Sequence, residues 1–402
     1  MEKNKQSDFL RTFFCFGMTV YLMCFLFMIH FYRVSKETFR EDFGRNFTWP
    51  DIGLDFHYLY NISSSVRDGG TSMSVHPPWA AVSYIPLTFL GPKSAYVLFT
   101  YALIALLFSA IFLCIRENKV FLTGQMDLFI ALLCTGIFYH TYPVLFALER
   151  GQFEILLGFF STVGLFALSR NFRKTAVIAL VLAAQYKIYP VILGSVLFIR
   201  YRWKTLAVFM ALNVLMLFIR GKDVGFSYIK VVKEMVEHPC SWPGNHCLIS
   251  FAHEMVRLRY LSPDLEVITA KALSAAAVLV FTAAFLWLAF KGKPHTSSAF
   301  SVAEAGLIGM AFQLMSLLPA TSHDYKLPIQ IIPFLLMISR GKADFTIPKP
   351  LVYVLMAALS ASMAFMFVPF FLIKTFGVIA SFMIYAVFAF SPIVKEPKTL
   401  TT

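Results

Sequence analysis

Residues 175–199 read TAVIALVLAAQYKIYPVILGSVLFI, and this stretch decides the fold. It is apolar and long enough for one membrane span. Yet a basic cluster flanks each end: Arg170, Arg173 and Lys174 before it, Arg200, Arg202 and Lys204 after it. Basic loops face the cytoplasm, and a single span would put its ends on opposite sides. Lys187 and Pro190 stand in the middle. Two helices that meet at Gln185–Pro190 remove the conflict. Each half has about 12 residues, roughly 18 Å at 1.5 Å per residue. That falls short of a hydrocarbon core of about 30 Å. The Lys187 turn is therefore expected inside the membrane, at the floor of a water-accessible cavity. Irregular backbone at that depth is tolerated only against protein or water.

The rest of the chain agrees. Of 402 residues, 58% are hydrophobic and 14% charged, against about half and a quarter in soluble domains. A soluble globular protein, a disordered chain, a coiled coil and collagen are all excluded. A first span is expected at 12–32. Others follow at 94–115, 126–147, 152–169, 205–220, 266–290, 300–319, 327–339, 350–368 and 371–391. Counting the broken pair near Lys187 as two gives about 11–12 membrane helices in an all-α polytopic chain. The net charge of +13 would suggest nucleic acid in a soluble protein. Here the Lys and Arg residues cluster between apolar runs, so a lipid bilayer is the expected partner and nucleic acid is not. Both termini are then inside. The chain is expected to form one transmembrane domain over 1–402, with large outside loops at about 33–93 and 221–265.

Four outside or mid-membrane segments carry polar side chains that chemistry could use. The first loop holds Asp55-Phe56-His57-Tyr58 and His76-Pro77-Pro78-Trp79. Asp55 reads as a general base or as a helix-capping acid. Glu149-Arg150-Gly151-Gln152-Phe153-Glu154 lies between two apolar runs, where polar groups are costly unless paired or wet. It reads as an Arg–Glu pair or as a cavity lining. Lys187 needs either a ligand, such as a phosphate, or a structural partner such as Glu154. His323 and Lys326, in Thr321-Ser322-His323-Asp324-Tyr325-Lys326, are further candidates for an anion, or part of an ordinary polar turn. Cys240 and Cys247 share one outside segment that also holds Gly244-Asn245. Arg257 stands where a zincin needs His after His253-Glu254, so that zinc motif is absent.

In chain order these pieces resemble glycosyltransferase family 87, a group of polytopic enzymes that includes the mycobacterial polyprenol-phosphate-mannose-dependent mannosyltransferases. Asp55-Phe-His57-Tyr58 is similar to the family's Asp-Leu-His-Val-Tyr. His76-Pro77-Pro78-Trp79 is similar to its aromatic-Pro-Pro segment, and Gly151-Gln152 to the start of its Gly-Gln-x-Asn. Lys187-Ile-Tyr-Pro190 is similar to its Lys-x-x-Pro, Gly244-Asn245 to its Gly-Asn-Gln-Ser, and His323 to its late His. Glu154 stands where the family has Asn, and His246-Cys247 where it has Gln-Ser.

The resemblance implies a GT-C-like fold in a plasma membrane of the bacterial inner type. It implies transfer of mannose or another hexose or pentose from a polyprenyl-phosphate donor, by inversion. The acceptor would be a hydroxyl on a lipid-linked or glycan molecule, outside the membrane. Asp55 takes the role of base. Lys187, Arg150, His323 and Lys326 are the expected donor-phosphate contacts. His57, Tyr58, Trp79, Gln152, Glu154 and Asn245 are expected to contact the sugar or acceptor. No metal and no cofactor is expected. Residue by residue, a transporter or flippase, which also breaks helices at mid-membrane, and a polysaccharide polymerase or ligase remain open alternatives.

Overall fold

The structure is a computed structural model of the chain. It describes residues 22–30, 32–33, 52–72, 74–117, 124–237, 245–291, 300–319, 322, 324–330, 332–333, 349–363 and 371–390. The first expected span is described over 22–30 and 32–33, which are helical. Helices α1 (Leu54–Arg67) and α2 (Pro78–Tyr84) form the first loop. The long α3 (Pro92–Glu117) follows, then α4 (Gly124–Tyr139) and the short α5 (Tyr142–Arg150). Next come α6 (Glu154–Ser169) and α7 (Arg173–Tyr186). After a 3-10 turn at Tyr189–Leu193 come α8 (Gly194–Leu217) and α9 (Lys222–Glu237). The chain continues through α10 (Leu248–Arg257), α11 (Glu266–Lys291) and α12 (Val302–Leu317). A 3-10 run at Asp324–Gln330, α13 (Lys349–Met363) and α14 (Phe371–Ala389) complete it.

Among the described residues, three helical stretches are long and apolar enough to cross a membrane: Pro92–Arg116, Pro263–Phe290 and Leu372–Ala389. Two bent pairs raise the number to as many as five, one turning by 77° between α4 and α5 and one by 104° between α8 and α9. Shorter apolar helices lie at Glu154–Ser169, Val302–Leu317 and Pro350–Met363. No β-strand occurs among the described residues. The protein is an all-α polytopic membrane protein. Its expected segments therefore come in two lengths, full spans and shorter pieces.

Proline explains two of the breaks. Helix α4 stops at Tyr139, four residues before Pro143, and α7 stops at Tyr186, four residues before Pro190. A proline ring clashes with the carbonyl four residues back and lacks the amide that would bond it, so neither helix can run on. Lys187 is extended, at φ −149° and ψ 145°. The chain then turns back and breaks again at Arg202 (φ 62°, ψ −172°).

The ends of this excursion meet. The Arg173 guanidinium lies over the Tyr201 ring, and Arg200 reaches the Leu168 carbonyl at 3.4 Å. Both basic clusters thus stand at one end of a helical hairpin with Lys187 at its tip, as the flanking charges require. An ion pair locks that end: Arg200 Nε is 2.9 Å from Glu304 Oε1, with both side chains buried and the guanidinium over the Phe300 ring. Glu304 also completes the capping box of α12 with Ser301.

Helix α12 is buried along almost its whole length. Gly306 and Gly309 let it close on the Ala389 backbone and the Tyr385 ring of α14, a small-residue contact of the kind membrane helices use. A second core, around Phe56, Tyr84, Tyr96, Phe99 and Phe146, joins the first loop to α3 and α5.

Candidate functional site

The site begins where two helices meet end to end. The last carbonyls of a helix have no partner within it. At the end of α5, the Glu149 carbonyl accepts the Gly53 amide at 2.8 Å, and Leu148 accepts the Tyr96 hydroxyl at 2.9 Å. Gly53 is the cap of α1, so these bonds set the start of α1 against the end of α5. Gly151 ends α5 in left-handed backbone, at φ 66°. A Cβ there would lie 2.5 Å from the Phe56 Cβ, so only glycine allows this approach.

That junction presents Asp55, in the first turn of α1, to Arg150, the last residue of α5. Each helix dipole favours the charge placed on it. Arg150 Nε donates to Asp55 Oδ2 at 2.6 Å and Nη2 donates to Oδ1 at 2.8 Å. Gln152 Nε2 adds a third bond to Oδ2 at 2.5 Å. A carboxylate offers about four acceptor sites, so these three bonds leave one on Oδ1. The Asp55 side chain is 24% exposed, so a substrate can reach it.

The other end of Gln152 continues the chain of contacts. Its Oε1 accepts from Lys187 Nζ at 3.4 Å. Turning the amide over would set its oxygen against the Asp55 carboxylate and its NH2 against the ammonium, so this orientation alone suits both ends. Lys187 Nζ lies 2.6 Å from Glu154 Oε1, and the Tyr189 hydroxyl donates to the same oxygen at 3.5 Å. The Glu154 side chain is fully buried. Of the two sequence alternatives for Lys187, the Glu154 pair forms. Arg150, expected to pair within the Glu149–Glu154 segment, binds Asp55.

Aromatic rings seat the cations. Lys187 Nζ stands 5.3 Å from the centre of the Phe153 ring, and Lys326 Nζ 4.7 Å from that of Tyr189. The His76 ring meets Phe153 edge-on at 4.8 Å. Burial pushes the His76 pKa well below 6.5, and the Lys187 and Lys326 charges push the same way. Burial lowers that of Lys326 to about 7; Lys187 adds to the shift, while Glu154 and Cys247 oppose it. Tyr84 packs on Phe56, Phe99 and Phe153, and its hydroxyl has no hydrogen-bond partner among the described residues. Burial, with Tyr186, Glu154 and Asp55 nearby, raises its pKa well above 10.

The structure thus brings Asp55, Arg150, Gln152, Glu154, Lys187 and Lys326 together. His57 is adjacent, its ring against Phe56 and Tyr96. Tyr58 is exposed on α1. Trp79 lies on α2 with its indole nitrogen buried and unpartnered among the described residues. Asn245 is buried, and its Oδ1 accepts the amides of Ser322 and Cys247 at 2.6 and 3.2 Å. It pins the start of α10 to the segment that leads to Lys326. Cys247 is a buried thiol; Cys240 and His323 lie outside the described residues.

His76, Phe153, Tyr84 and Tyr189 join the site without having been singled out as candidates. His76 and Tyr189 stand inside motifs that were. Phe153 likewise stands inside the polar segment from Glu149 to Glu154, whereas nothing in the sequence marked Tyr84, one aromatic among many.

The arrangement can take a proton at Asp55 and hold an anion near Lys187 and Lys326. The family model described as glycosyltransferase family 87 matches residues 75–316, more than half of the chain. No curated protein and no solved structure matches it.

Proposed function

The chain belongs to glycosyltransferase family 87, and from that premise we propose that it transfers a sugar from a polyprenyl-phosphate donor to an acceptor hydroxyl outside the membrane. The sugar is mannose or another hexose or pentose, and the acceptor a lipid-linked or glycan molecule. The whole chain acts as one GT-C-like transmembrane domain in a bacterial inner membrane, with outside loops at about 33–93 and 221–265. The observation that carries this reading is the unbroken line of contacts from Asp55 through Gln152 to Lys187. It holds a proton acceptor and an anion site in one frame.

In the reaction the acceptor oxygen attacks the anomeric carbon as the bond from that carbon to the phosphate oxygen breaks. The hydroxyl proton passes to the open site on Asp55 Oδ1. The leaving polyprenyl phosphate becomes a monoester and gains charge, which Lys187 and Lys326 stabilise. One displacement inverts the anomeric centre. Arg150 and Gln152 aim the carboxylate, and Glu154 holds Lys187 in place.

Asp55→Asn tests this. The amide keeps the shape of the side chain and loses the base. General-base catalysis contributes about 10²–10⁴-fold, so transfer of radiolabelled sugar from polyprenyl-phosphate donors should fall at least about a hundredfold at equal protein level. Equal labelling by both proteins would remove Asp55 as the base.

A further inference from the structure

Helix α9 (Lys222–Glu237) holds no group of the site, yet its side chains are sorted around its axis. At 3.6 residues per turn it has three faces. Val224 and Tyr228 form the buried one, and α9 packs against α2. Asp223, Lys230, Glu234 and Glu237 share a second face, which is exposed and polar. Phe226, Ile229 and Val236 share the third with Lys222 and Lys233. These three apolar side chains are 61%, 45% and 64% exposed. All the acids of the helix stand on the second face, so the third carries apolar groups and lysines. Lys233 also lies 3.7 Å from Glu237, an exposed pair that contributes little.

The bend before α9 supplies a neighbour for that third face. From the break at Arg202 to Leu217, α8 rises about 22 Å at 1.5 Å per residue. With the turn that follows, it crosses most of a hydrocarbon core of about 30 Å. Trp203 is exposed at the near end, the place where membrane proteins set Trp at the interface. The bend at Gly221 then lies at the opposite surface, and a turn of 104° lays α9 close to the plane of the membrane. The lipid-facing side of α8 also continues onto α9. Val214, Leu215 and Ile219 are exposed, and the Phe226 ring meets that of Phe218 at 5.3 Å.

We propose that α9 is an interfacial helix, with Phe226, Ile229 and Val236 among the upper acyl chains of the leaflet around α8 and the Lys222 and Lys233 ammoniums at the lipid phosphates. Lysine stems lie along apolar surface while their heads reach polar groups. The inference uses only the membrane character of the chain and stands without the proposed reaction. It has a consequence for the site. Arg220, at the bend, donates to the Ser72 and Gly70 carbonyls at 2.9 and 3.2 Å, in the loop between Asp55 and His76. A helix held at the membrane surface thus fixes the height of that loop.

The test is depth-resolved fluorescence on the full chain in phosphatidylcholine nanodiscs. Ile229→Cys, Val236→Cys and Glu234→Cys each carry an environment-sensitive dye, and the signal of labelled wild type is subtracted for the native thiols. Some of the lipids carry a nitroxide, either shallow or deep in the acyl chain. The dyes at 229 and 236 should emit to the blue of the dye at 234, and the shallow nitroxide should quench them more than the deep one. Their depth should come out at about 5–10 Å below the headgroup boundary. The dye at 234 should be quenched by neither. Either lipid-side variant suffices if the other does not fold.

Equal emission and quenching at all three positions would overturn the assignment, because α9 would then stand in water. So would stronger quenching by the deep nitroxide, which would make α9 part of a span. A blue shift at 229 and 236 with no quenching by either lipid would also refute it, since the face would then be covered by protein, such as a second copy of the chain.

Discussion

Gly151→Ala changes no group that reacts, yet it should cost about a hundredfold in rate. Two effects follow from its position. The backbone there is left-handed, at φ 66°, which costs a residue with a Cβ about 1–2 kcal/mol. The new methyl would also sit 2.5 Å from the Phe56 Cβ and 3.3 Å from Tyr96 Cε2. Carbon atoms rest at about 3.5–4.0 Å, so something must move by roughly 1 Å. Phe56 is fully buried among Tyr60, Tyr84, Tyr96 and Phe99 and cannot swing away.

The movement therefore falls on the junction of α1 with α5, which sets Asp55 against Arg150. A misplacement of about 1 Å can cost about 10²-fold. Gly69→Ala is the control. Gly69 also has positive φ, at 83°, but nothing lies within 4 Å of the new methyl. It should lose a similar increment of stability and keep its rate. The assay is the initial rate of sugar transfer at saturating donor, on protein that elutes as a single species. A wild-type rate for Gly151→Ala, or equal losses in both variants, would refute the argument that this contact sets the base.

Further outcomes follow from the charges. Glu154→Ala leaves the Lys187 ammonium without its carboxylate, and breaking a buried pair costs about 3–5 kcal/mol. Adding Lys187→Ala should cost much less than the two single losses summed, which a double-mutant cycle on denaturation midpoints will show. Arg200→Ala should destabilise by a similar amount while each folded molecule keeps its turnover, since the Arg200–Glu304 pair lies at the opposite end of the Lys187 hairpin. In the pH profile, kcat/KM should fall as pH rises through about 7, where Lys326 loses its proton, and Lys326→Arg, which keeps its charge, should flatten that limb. The stability sign is opposite: between about 7 and 10.5 only the unfolded chain holds that proton, so the contribution of Lys326 to stability rises with pH, as thermal midpoints across that range will test.

Much of this was legible in the order of residues. The hairpin around Lys187 followed from two basic clusters and one proline, because charge sidedness and the missing proline amide both act locally. The polar island from Glu149 to Glu154 stood out against the apolar runs beside it. The pairing of those charges did not. Arg150 has acidic neighbours at 149 and 154, yet its partner is Asp55, 95 positions away. Asn245 carried the look of a ligand contact, and its oxygen accepts the Ser322 amide, 77 positions on, a bond the sequence did not announce. The Lys326 charge acts on His76, 250 positions away in the chain, only because the fold sets them close, with His76 against Phe153 and Lys326 over Tyr189.

The sequence alone established an all-α membrane chain, the places where its helices break, and the family resemblance. Hydropathy, proline sterics and loop charge need only near neighbours to act. The tertiary structure alone decided which carboxylate holds which cation. A buried charge takes whichever opposite charge the packing brings within about 4 Å, and end-to-end contact of α1 with α5 is a property of the folded chain.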